Sequence, residues 1–463
     1  MIRRLAAATL DLLPDWVERP VGTRPQVRVV HLGAGAFHRA HQAVAFDELG
    51  WGVTAASLLS TAARDALAPQ DGLYSLVVHD SSDERVRIVA AIRDVIVAPE
   101  APAALLEALA ASTTDIVTVT VTEKGYRPGE PMPELVARAL ALRRLRGLAP
   151  FTAISCDNLA DNGTALRSAV LGTAGDPALR DWIEAEGAFP QTMVDRIVPA
   201  TREQDIEALA ERIGLVDRAM VKTEPFSQWV IEDRFAGPRP DFQAAGVQVV
   251  ADVAPYEQAK LRLLNGAHSA IAYLGGLAGI DTVDAFVADP ARRGFVEALW
   301  DESQATLAPP PGLDLAAYRR DLLARFANHA LGHRTAQIAI DGSQKLPQRL
   351  LAPIAVRRDR GAPIDALALA VAAWIRWQGG RTDAGQSFEV DDPLAAETRR
   401  LLAGTAAPAD QVRAMMTLET VFPRRLAEDF RFADALTAAL TALAEYGAVG
   451  ALARFGTQSA GRR

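Results

Sequence analysis

Residues 27–38 read Val-Arg-Val-Val-His-Leu-Gly-Ala-Gly-Ala-Phe-His. Six β-favouring residues end at a glycine turn, and a helical pattern follows from Ala40 to Leu49. This order is typical of the dinucleotide-binding unit of a Rossmann fold. Gly33 would form the tight turn, and Gly35 would let backbone N–H groups approach a pyrophosphate. His38 stands where the third glycine is usual, and a strand–turn–helix without a ligand is the alternative.

The segment 52–59, Gly-Val-Thr-Ala-Ala-Ser-Leu-Leu, is predicted as the second strand. In NAD-binding Rossmann folds an acidic residue near the end of this strand binds the ribose hydroxyls. This chain has Ser60 and Thr61 there, with Arg64 and Asp65 one turn further on. Arg64 would either bind the 2′-phosphate of NADP or face water, so both cofactors remain open.

Strand and helix patterns alternate along the first half of the chain, and helical patterns dominate the second half. Runs rich in β-branched residues predict strands at 74–78, 86–89, 116–122, 151–155 and 247–253. Pro255 suits the first turn of the first helix of the second half. We therefore predict an α/β N-terminal Rossmann-type domain over residues 1–254 and a mainly α-helical C-terminal domain over residues 255–463.

The composition is that of an ordinary globular protein. Its 463 residues suggest two or three domains, and 49% of them are hydrophobic. A net charge of -8 argues against nucleic acid or an anionic membrane as a partner. The single cysteine, Cys156, excludes an intrachain disulfide and a Cys-rich metal site, and it fits a cytoplasmic location. The apolar run near the N-terminus ends at Asp11, short of a signal peptide, and no run approaches 18 apolar residues.

Three polar residues stand out in the Leu-rich stretch 256–268, Tyr-Glu-Gln-Ala-Lys-Leu-Arg-Leu-Leu-Asn-Gly-Ala-His. On an α-helix, Lys260, Asn265 and His268 would project at about 0°, 140° and 80°, from one side. Apolar neighbours would hold that side in the interior, so that an amine, an amide and an imidazole share one pocket. A solvated lysine, a turn asparagine and a structural histidine are the alternatives.

Six motifs, in order along nearly the whole chain, resemble those of the mannitol dehydrogenase family, the polyol-specific long-chain dehydrogenases and reductases. They are Gly33-Ala-Gly-Ala-Phe-His-Arg-Ala-His-Gln42, Ser155-Cys-Asp-Asn-Leu159, Val194-Asp-Arg-Ile-Val-Pro199, Glu224-Pro-Phe-Ser-Gln-Trp-Val-Ile-Glu-Asp233, Lys260-Leu-Arg-Leu-Leu-Asn-Gly-Ala-His-Ser269 and Asp341-Gly-Ser-Gln-Lys-Leu-Pro-Gln-Arg349. The resemblance implies a metal-free, NAD(P)-dependent oxidoreductase that acts at a secondary alcohol of a sugar alcohol or sugar acid. It also suggests a monomer or weak homodimer.

The resemblance assigns roles to individual residues. Lys260 is implied as the general base in alcohol oxidation, Asn265 and His268 hold the reacting oxygen, and Asn158 is a further polar contact. Desolvation and nearby cations can lower the pKa of a lysine from about 10.4, which makes a neutral amine accessible. The implied substrate-binding residues are Asp195, Lys345 and Arg349. The implied cofactor-binding residues are Gly33, Gly35, Phe37, His38, Arg39, Ser60, Glu123 and Lys124.

The stretch 333–351 resembles the hexuronate-reducing branch of the family, which interconverts D-fructuronate and D-mannonate. A carboxylate substrate needs a cation, for which Lys345, Arg349 or Arg334 are candidates. Ala336 departs from the bulkier residue expected there. The alternative substrate is a neutral polyol, mannitol or arabinitol, oxidised at C2. A catalytically silent nucleotide-binding regulatory protein is a remote alternative, against which the presence of Lys260 argues.

Overall fold

The computed structural model describes residues 3–20, 25–80 and 83–460. The chain divides into two compact units, residues 1–253 and 254–463. The division falls one residue before the predicted domain boundary.

The first unit contains a five-stranded, all-parallel sheet. From one edge to the other, the strands are Ile92–Val97, Gly52–Ser57, Val27–Leu32, Ile116–Val119 and Thr152–Ser155. Numbered along the chain, this order is 3-2-1-4-5, the arrangement of a Rossmann fold. The order reverses beside the first strand, and the glycine turn lies at the carboxyl end of that strand. The predicted α/β class of this half is confirmed.

Helices cover both faces of this sheet, as an all-parallel sheet requires. The central strand shows the two faces, because Val29 and Val30 belong to different hydrophobic cores. The helices of the unit are Ala36–Ala40, Gln42–Glu48, Ala62–Leu67, Pro102–Ala110, Pro131–Leu145, Asn162–Thr173, Pro177–Glu186 and Glu203–Ile213, with 3₁₀ turns at Ala7–Leu12, Ala68–Gln70, Glu123–Tyr126 and Phe242–Ala245.

Three small sheets complete the described part of the first unit. Tyr74–His79 pairs with Val221–Thr223 and Glu84–Val89; Gln228–Glu232 pairs with Thr192–Asp195 and Gln248–Val250; and Arg3–Arg4 pairs with Leu215–Val216.

The second unit is built from helices, which confirms the predicted class. Its central helix, Asp365–Trp377, is apolar on all sides and almost wholly buried. Its helical segments are Ala254–Ala259, Lys260–Asn265, Gly266–Leu277, Val283–Val287, Pro290–Gln304, Leu315–Ala327, His329–Leu331, Thr335–Ile338, Gly342–Leu346, Pro347–Leu351, Ala352–Asp359, Asp365–Trp377, Ala395–Ala403, Pro408–Met415, Arg424–Ala427 and Phe430–Ala460.

The last helical segment contains one stretch, Phe430–Thr457, that is long and apolar enough to cross a membrane by length and composition. Gly447 interrupts it with φ 65° and ψ 177°. The helical segments before and after Gly447 are therefore each shorter than the about 20 residues that a membrane-spanning helix needs. Buried residues such as Phe432 and Leu440 pack it into the second unit.

Candidate active site

The turn after the central strand accepts only glycine at position 33. Gly33 has φ 107°, and a Cβ added there would lie 2.0 Å from the carbonyl oxygen of Thr120. The close approach joins the first and fourth strands, whose ends are also linked by a 2.9 Å hydrogen bond from the Thr120 hydroxyl to the Gly33 carbonyl. Gly33 therefore fixes the turn through its backbone.

Gly35 has a different position in the same turn. It is exposed, it lies directly before the helix Ala36–Ala40, and a Cβ there would meet nothing closer than 3.8 Å. The first N–H groups of a helix have no partner within the helix. An open backbone at this helix start fits the pyrophosphate of a dinucleotide.

Alanine at each of these two glycine positions should affect a different property of the protein. Gly33→Ala should lower the free energy of unfolding by about 1–3 kcal/mol or more, because the left-handed backbone and the clash with Thr120 both strain the fold. Gly35→Ala should leave stability nearly unchanged and weaken dinucleotide binding. Urea denaturation and NADH titration of both variants separate the effects, and equal stability losses would contradict this assignment.

His38 does not carry a charge toward the cofactor's phosphates. The side chain is fully buried and stacks on His31 with 3.4 Å between ring centroids. Burial lowers the pKa of His38 well below its usual 6.5, and the neighbouring His31 and Arg39 side chains lower it further. The imidazole is therefore neutral and packs beneath the turn, so that the cofactor contact implied for His38 is corrected to a packing role.

Phe37 and Arg39 also hold the turn in place. Phe37 stacks on His41 at 5.2 Å between ring centroids. The Arg39 guanidinium donates to the Ala34 carbonyl at 3.1 Å. The backbone carbonyl of Arg39 accepts a hydrogen bond from the Tyr74 hydroxyl at 2.6 Å. Burial lowers the pKa of Arg39.

The outer candidates of the cofactor site lie in exposed loops at the carboxyl edge of the sheet. Ser60 follows the second strand, whose end is at Ser57, two residues before the predicted end. Glu123 and Lys124 form an exposed turn after the fourth strand.

Asp157, which the sequence did not single out, supports that turn. Its carboxylate accepts from the backbone N–H groups of Val121 and Thr122, at 3.1 and 2.8 Å, and from the Tyr126 hydroxyl at 2.7 Å. Burial raises the pKa of Asp157, and these hydrogen bonds oppose the rise. The neighbouring Asn158 is exposed.

Asp195 is the last residue of the strand Thr192–Asp195 and is buried. It stands opposite Gln228 in the antiparallel pairing.

In the second unit, Lys260 lies on a helix with one wide turn. Residues Lys260–Asn265 are π-helical, and the N–H of Gly266 bonds to the carbonyl of Leu261, five residues back. The Trp300 indole donates to the Leu263 carbonyl in this turn at 2.8 Å. A wide turn holds one extra residue, so every later side chain is rotated back by about 100° relative to an α-helix.

This rotation corrects the angles predicted for an ideal α-helix. Asn265 moves from about 140° to about 40°, and His268 moves from about 80° to about -20°, relative to Lys260. The three polar side chains therefore project over a narrower arc than the sequence predicted. π-helical turns inside α-helices occur frequently at functional sites.

The three residues are buried, with 8%, 7% and 7% of the surface of Lys260, Asn265 and His268 exposed. Across the described part of the chain, neither Nδ2 of Asn265 nor Nε2 of His268 has a hydrogen-bond partner. Buried polar atoms normally have one. Two such atoms one turn apart are suited to an oxygen of a ligand.

His268 lies among cations and aromatic rings. Its ring centroid is 4.7 Å from that of Phe326 and 5.1 Å from that of His333, whose ring is nearly perpendicular. Burial lowers the pKa of His268 well below 6.5, and the neighbouring His333, Arg325, Arg349 and Lys260 side chains lower it further. His268 is therefore a neutral imidazole in an electropositive surrounding. Sequence reasoning missed Arg325, whose only signal is a charge within the apolar run 322–326.

Arg349 contacts the Lys260 helix. Its guanidinium donates to the Ser269 hydroxyl at 3.1 Å. Arg349 lies in a second wide turn, Pro347–Leu351, whose backbone is so near that a Cβ on Gly266 would be 3.1 Å from the Arg349 carbonyl oxygen. Pro347 explains this turn in part, since proline removes a helical N–H.

Lys345 is half-buried, and its ammonium donates to the carbonyls of Ile340 and Ile338. These hydrogen bonds fix the backbone at the end of the short helix Thr335–Ile338 and just after it. Arg334 is exposed. No group of three or more His, Cys, Asp or Glu that could hold a metal ion occurs among residues 3–20, 25–80 and 83–460.

Comparison with known proteins agrees with this architecture. Residues 27–244 match the model of the mannitol dehydrogenase Rossmann domain, and residues 252–444 match that of the mannitol dehydrogenase C-terminal domain. D-mannonate oxidoreductase of Escherichia coli is 41% identical over 94% of this chain and 96% of its own length. Mannitol 2-dehydrogenase of Pyrenophora tritici-repentis is 37% identical over 92% of this chain and 81% of its own.

A solved structure is similar along nearly its whole length. The ternary complex of Pseudomonas fluorescens mannitol 2-dehydrogenase with NAD and D-mannitol has a TM-score of 0.86 and 33% identity, over 98% of this chain and 99% of that one. Fold and site thus define a dehydrogenase with a Rossmann domain and a helical domain. The chain belongs to the mannitol dehydrogenase family.

Proposed function

We propose that this protein is an NAD-dependent dehydrogenase that interconverts the C2 alcohol of D-mannonate and the ketone of D-fructuronate. The cation-rich surrounding of His268 supports a substrate with a carboxylate. The D-mannonate oxidoreductase of Escherichia coli, 41% identical, supports the same branch. The glycine turn supports NAD, as does the NAD in the complex of the Pseudomonas fluorescens relative.

Lys260 serves as the general base in oxidation and the general acid in reduction. Bound nicotinamide supplies hydride acceptance, so the protein must remove the proton of the C2 hydroxyl. Burial disfavours the charged form of an amine, which makes Lys260 Nζ suited to taking that proton. Lys260 is buried, with 8% of its surface exposed, so water has little access to the amine.

Asn265 and His268 stabilise the oxygen as negative charge develops on it. Asn265 Nδ2 is an unpaired donor in the described residues, and a neutral imidazole can donate from Nε2 when the proton is on that nitrogen. Two preorganised donors do the work of an oxyanion site without a metal charge. The neighbouring cations favour the alkoxide further.

Arg349 is the proposed partner of the substrate carboxylate. It lies beside the Lys260 helix, whereas Arg334 is exposed and Lys345 is bonded to backbone carbonyls. Asp195 remains a proposed substrate-binding residue, and Asn158 remains a proposed further polar contact.

The alternative is a neutral polyol oxidised at C2, which the D-mannitol in the complex of the Pseudomonas fluorescens relative favours. Initial rates of NAD⁺ and NADP⁺ reduction with D-mannonate, D-altronate, D-mannitol, D-arabinitol and D-sorbitol decide between the two. Strong preference for an aldonate supports the proposal, and preference for a neutral polyol contradicts it.

Arg349→Ala should lower kcat/KM for D-mannonate by about 10- to 100-fold, mainly through KM, because a charge-assisted hydrogen bond to the carboxylate is lost. Arg334→Ala is the matched control and should change kcat/KM little. Equal losses in the two variants would argue against a carboxylate contact at Arg349. The kinetic constants are measured with saturating NAD⁺.

A further inference from the structure

An ion-pair network lies at the carboxyl edge of the Rossmann sheet. The second strand, Gly52–Ser57, and the third, Ile92–Val97, are parallel neighbours, with Ser57 beside Val97. In Rossmann folds the adenosine ribose binds beyond the end of the second strand, where an acidic residue usually meets its hydroxyls. The segment 57–60 of this chain, Ser-Leu-Leu-Ser, offers no acid.

Two acidic residues, Asp65 and Glu100, form ion pairs with Arg64, which lies on the helix Ala62–Leu67 after this loop. The Arg64 guanidinium pairs with Asp65 at 2.8 Å and with Glu100, three residues beyond the third strand. The Thr61 hydroxyl donates to the other oxygen of Asp65 at 2.7 Å. These bonds hold two carboxylates beside the end of the second strand and direct the Arg64 donors toward them.

We propose that Asp65 and Glu100 make the enzyme select NAD over NADP. The inference rests on the dinucleotide site of the proposed function and identifies the residues that set its cofactor preference. The 2′-phosphate of NADP is usually met by an arginine in this region. Here each of the three nitrogens of the Arg64 guanidinium donates to one of two carboxylates, and these carboxylates also repel a phosphate. The 2′-hydroxyl of NAD is uncharged, so the two carboxylates do not repel it. The hydroxyls of Ser57 and Ser60 are groups that can form hydrogen bonds with it.

The two carboxylates are suited to substitution because exposed ion pairs contribute only about 0–1 kcal/mol to stability. The double variant Asp65→Asn, Glu100→Gln leaves Arg64 without ionised partners in this network. We expect the ratio of Kd for NADPH to Kd for NADH to fall by at least about tenfold. Adding Arg64→Ala should reverse most of that change.

Fluorescence titration of the full chain with NADH and NADPH, without substrate, measures these constants. Glu107→Gln is the matched control, since Glu107 is an exposed carboxylate on the helix Pro102–Ala110 that pairs with Arg146 at 2.7 Å. Its Kd ratio should equal that of the unchanged protein.

An unchanged ratio in the double variant, or equal affinity of the unchanged protein for NADPH and NADH, would overturn the proposal. Binding of neither nucleotide would overturn the dinucleotide site as well. Tight NADH binding without turnover of any sugar in the panel would contradict only the proposed reaction, and the ratio would still test the selectivity.

Discussion

Lys260→Ala should lower kcat for alcohol oxidation by at least about a thousandfold, because general base catalysis contributes about 10²- to 10⁴-fold. Lys260 is buried, so a water molecule does not readily take over as the base in the variant. The Kd for NADH should stay nearly unchanged, because the glycine turn belongs to the other unit. Initial rates with the preferred substrate and NADH titration measure the two quantities on one preparation.

Two further variants distinguish the base from the fold around it. Lys260→Arg keeps a long nitrogen-bearing side chain, but its guanidinium stays protonated and cannot accept a proton near neutral pH, so it should be as inactive as the alanine variant. Arg262→Gln alters the same wide turn, where Arg262 donates to the Thr306 carbonyl at 2.8 Å, and it should keep most turnover. Turnover close to that of the unchanged protein in Lys260→Ala would show that another group is the base.

The first unit could be predicted well because its main signals are local. The strand, glycine turn and helix at residues 27–38 specify the central βα unit, and the structure confirms the Rossmann-type class. The edge strand Ile92–Val97 was not predicted, since Arg93 and Asp94 interrupt its apolar pattern. Its conformation depends on pairing with Gly52–Ser57, a contact between residues far apart in sequence.

The sequence indicated candidate residue types for the site but not the geometry that the structure gives them. Nothing in the Leu-rich stretch signals an extra residue in the turn Lys260–Asn265, because α- and π-helical turns use the same side chains. Arg325 and His333 come near His268 through tertiary packing, so spacing along the chain did not reveal them. The burial of His38 likewise depends on the sheet beneath it, which a motif comparison does not describe.

Asn265→Ala and His268→Ala should each lower kcat by about 10²- to 10³-fold, the effect of removing one donor from an oxyanion site. The double variant should lose less than the product of the two, because both donors act on the same oxygen. Asn265→Asp is a sharper test than alanine: an ionised carboxylate only accepts hydrogen bonds and repels a developing alkoxide. It should be less active than Asn265→Ala, and an aspartate variant that keeps turnover would rule out a donor role.

The pH dependence separates His268 from an acid–base role. Because its pKa is well below 6.5 in the folded protein, the imidazole stays neutral between about pH 6 and pH 9. The factor by which His268→Ala lowers kcat should then be the same at every pH in that range. A factor that changes steeply across it would mean that His268 gains or loses a proton during catalysis, and the hydrogen-bonding role would have to be replaced by proton transfer.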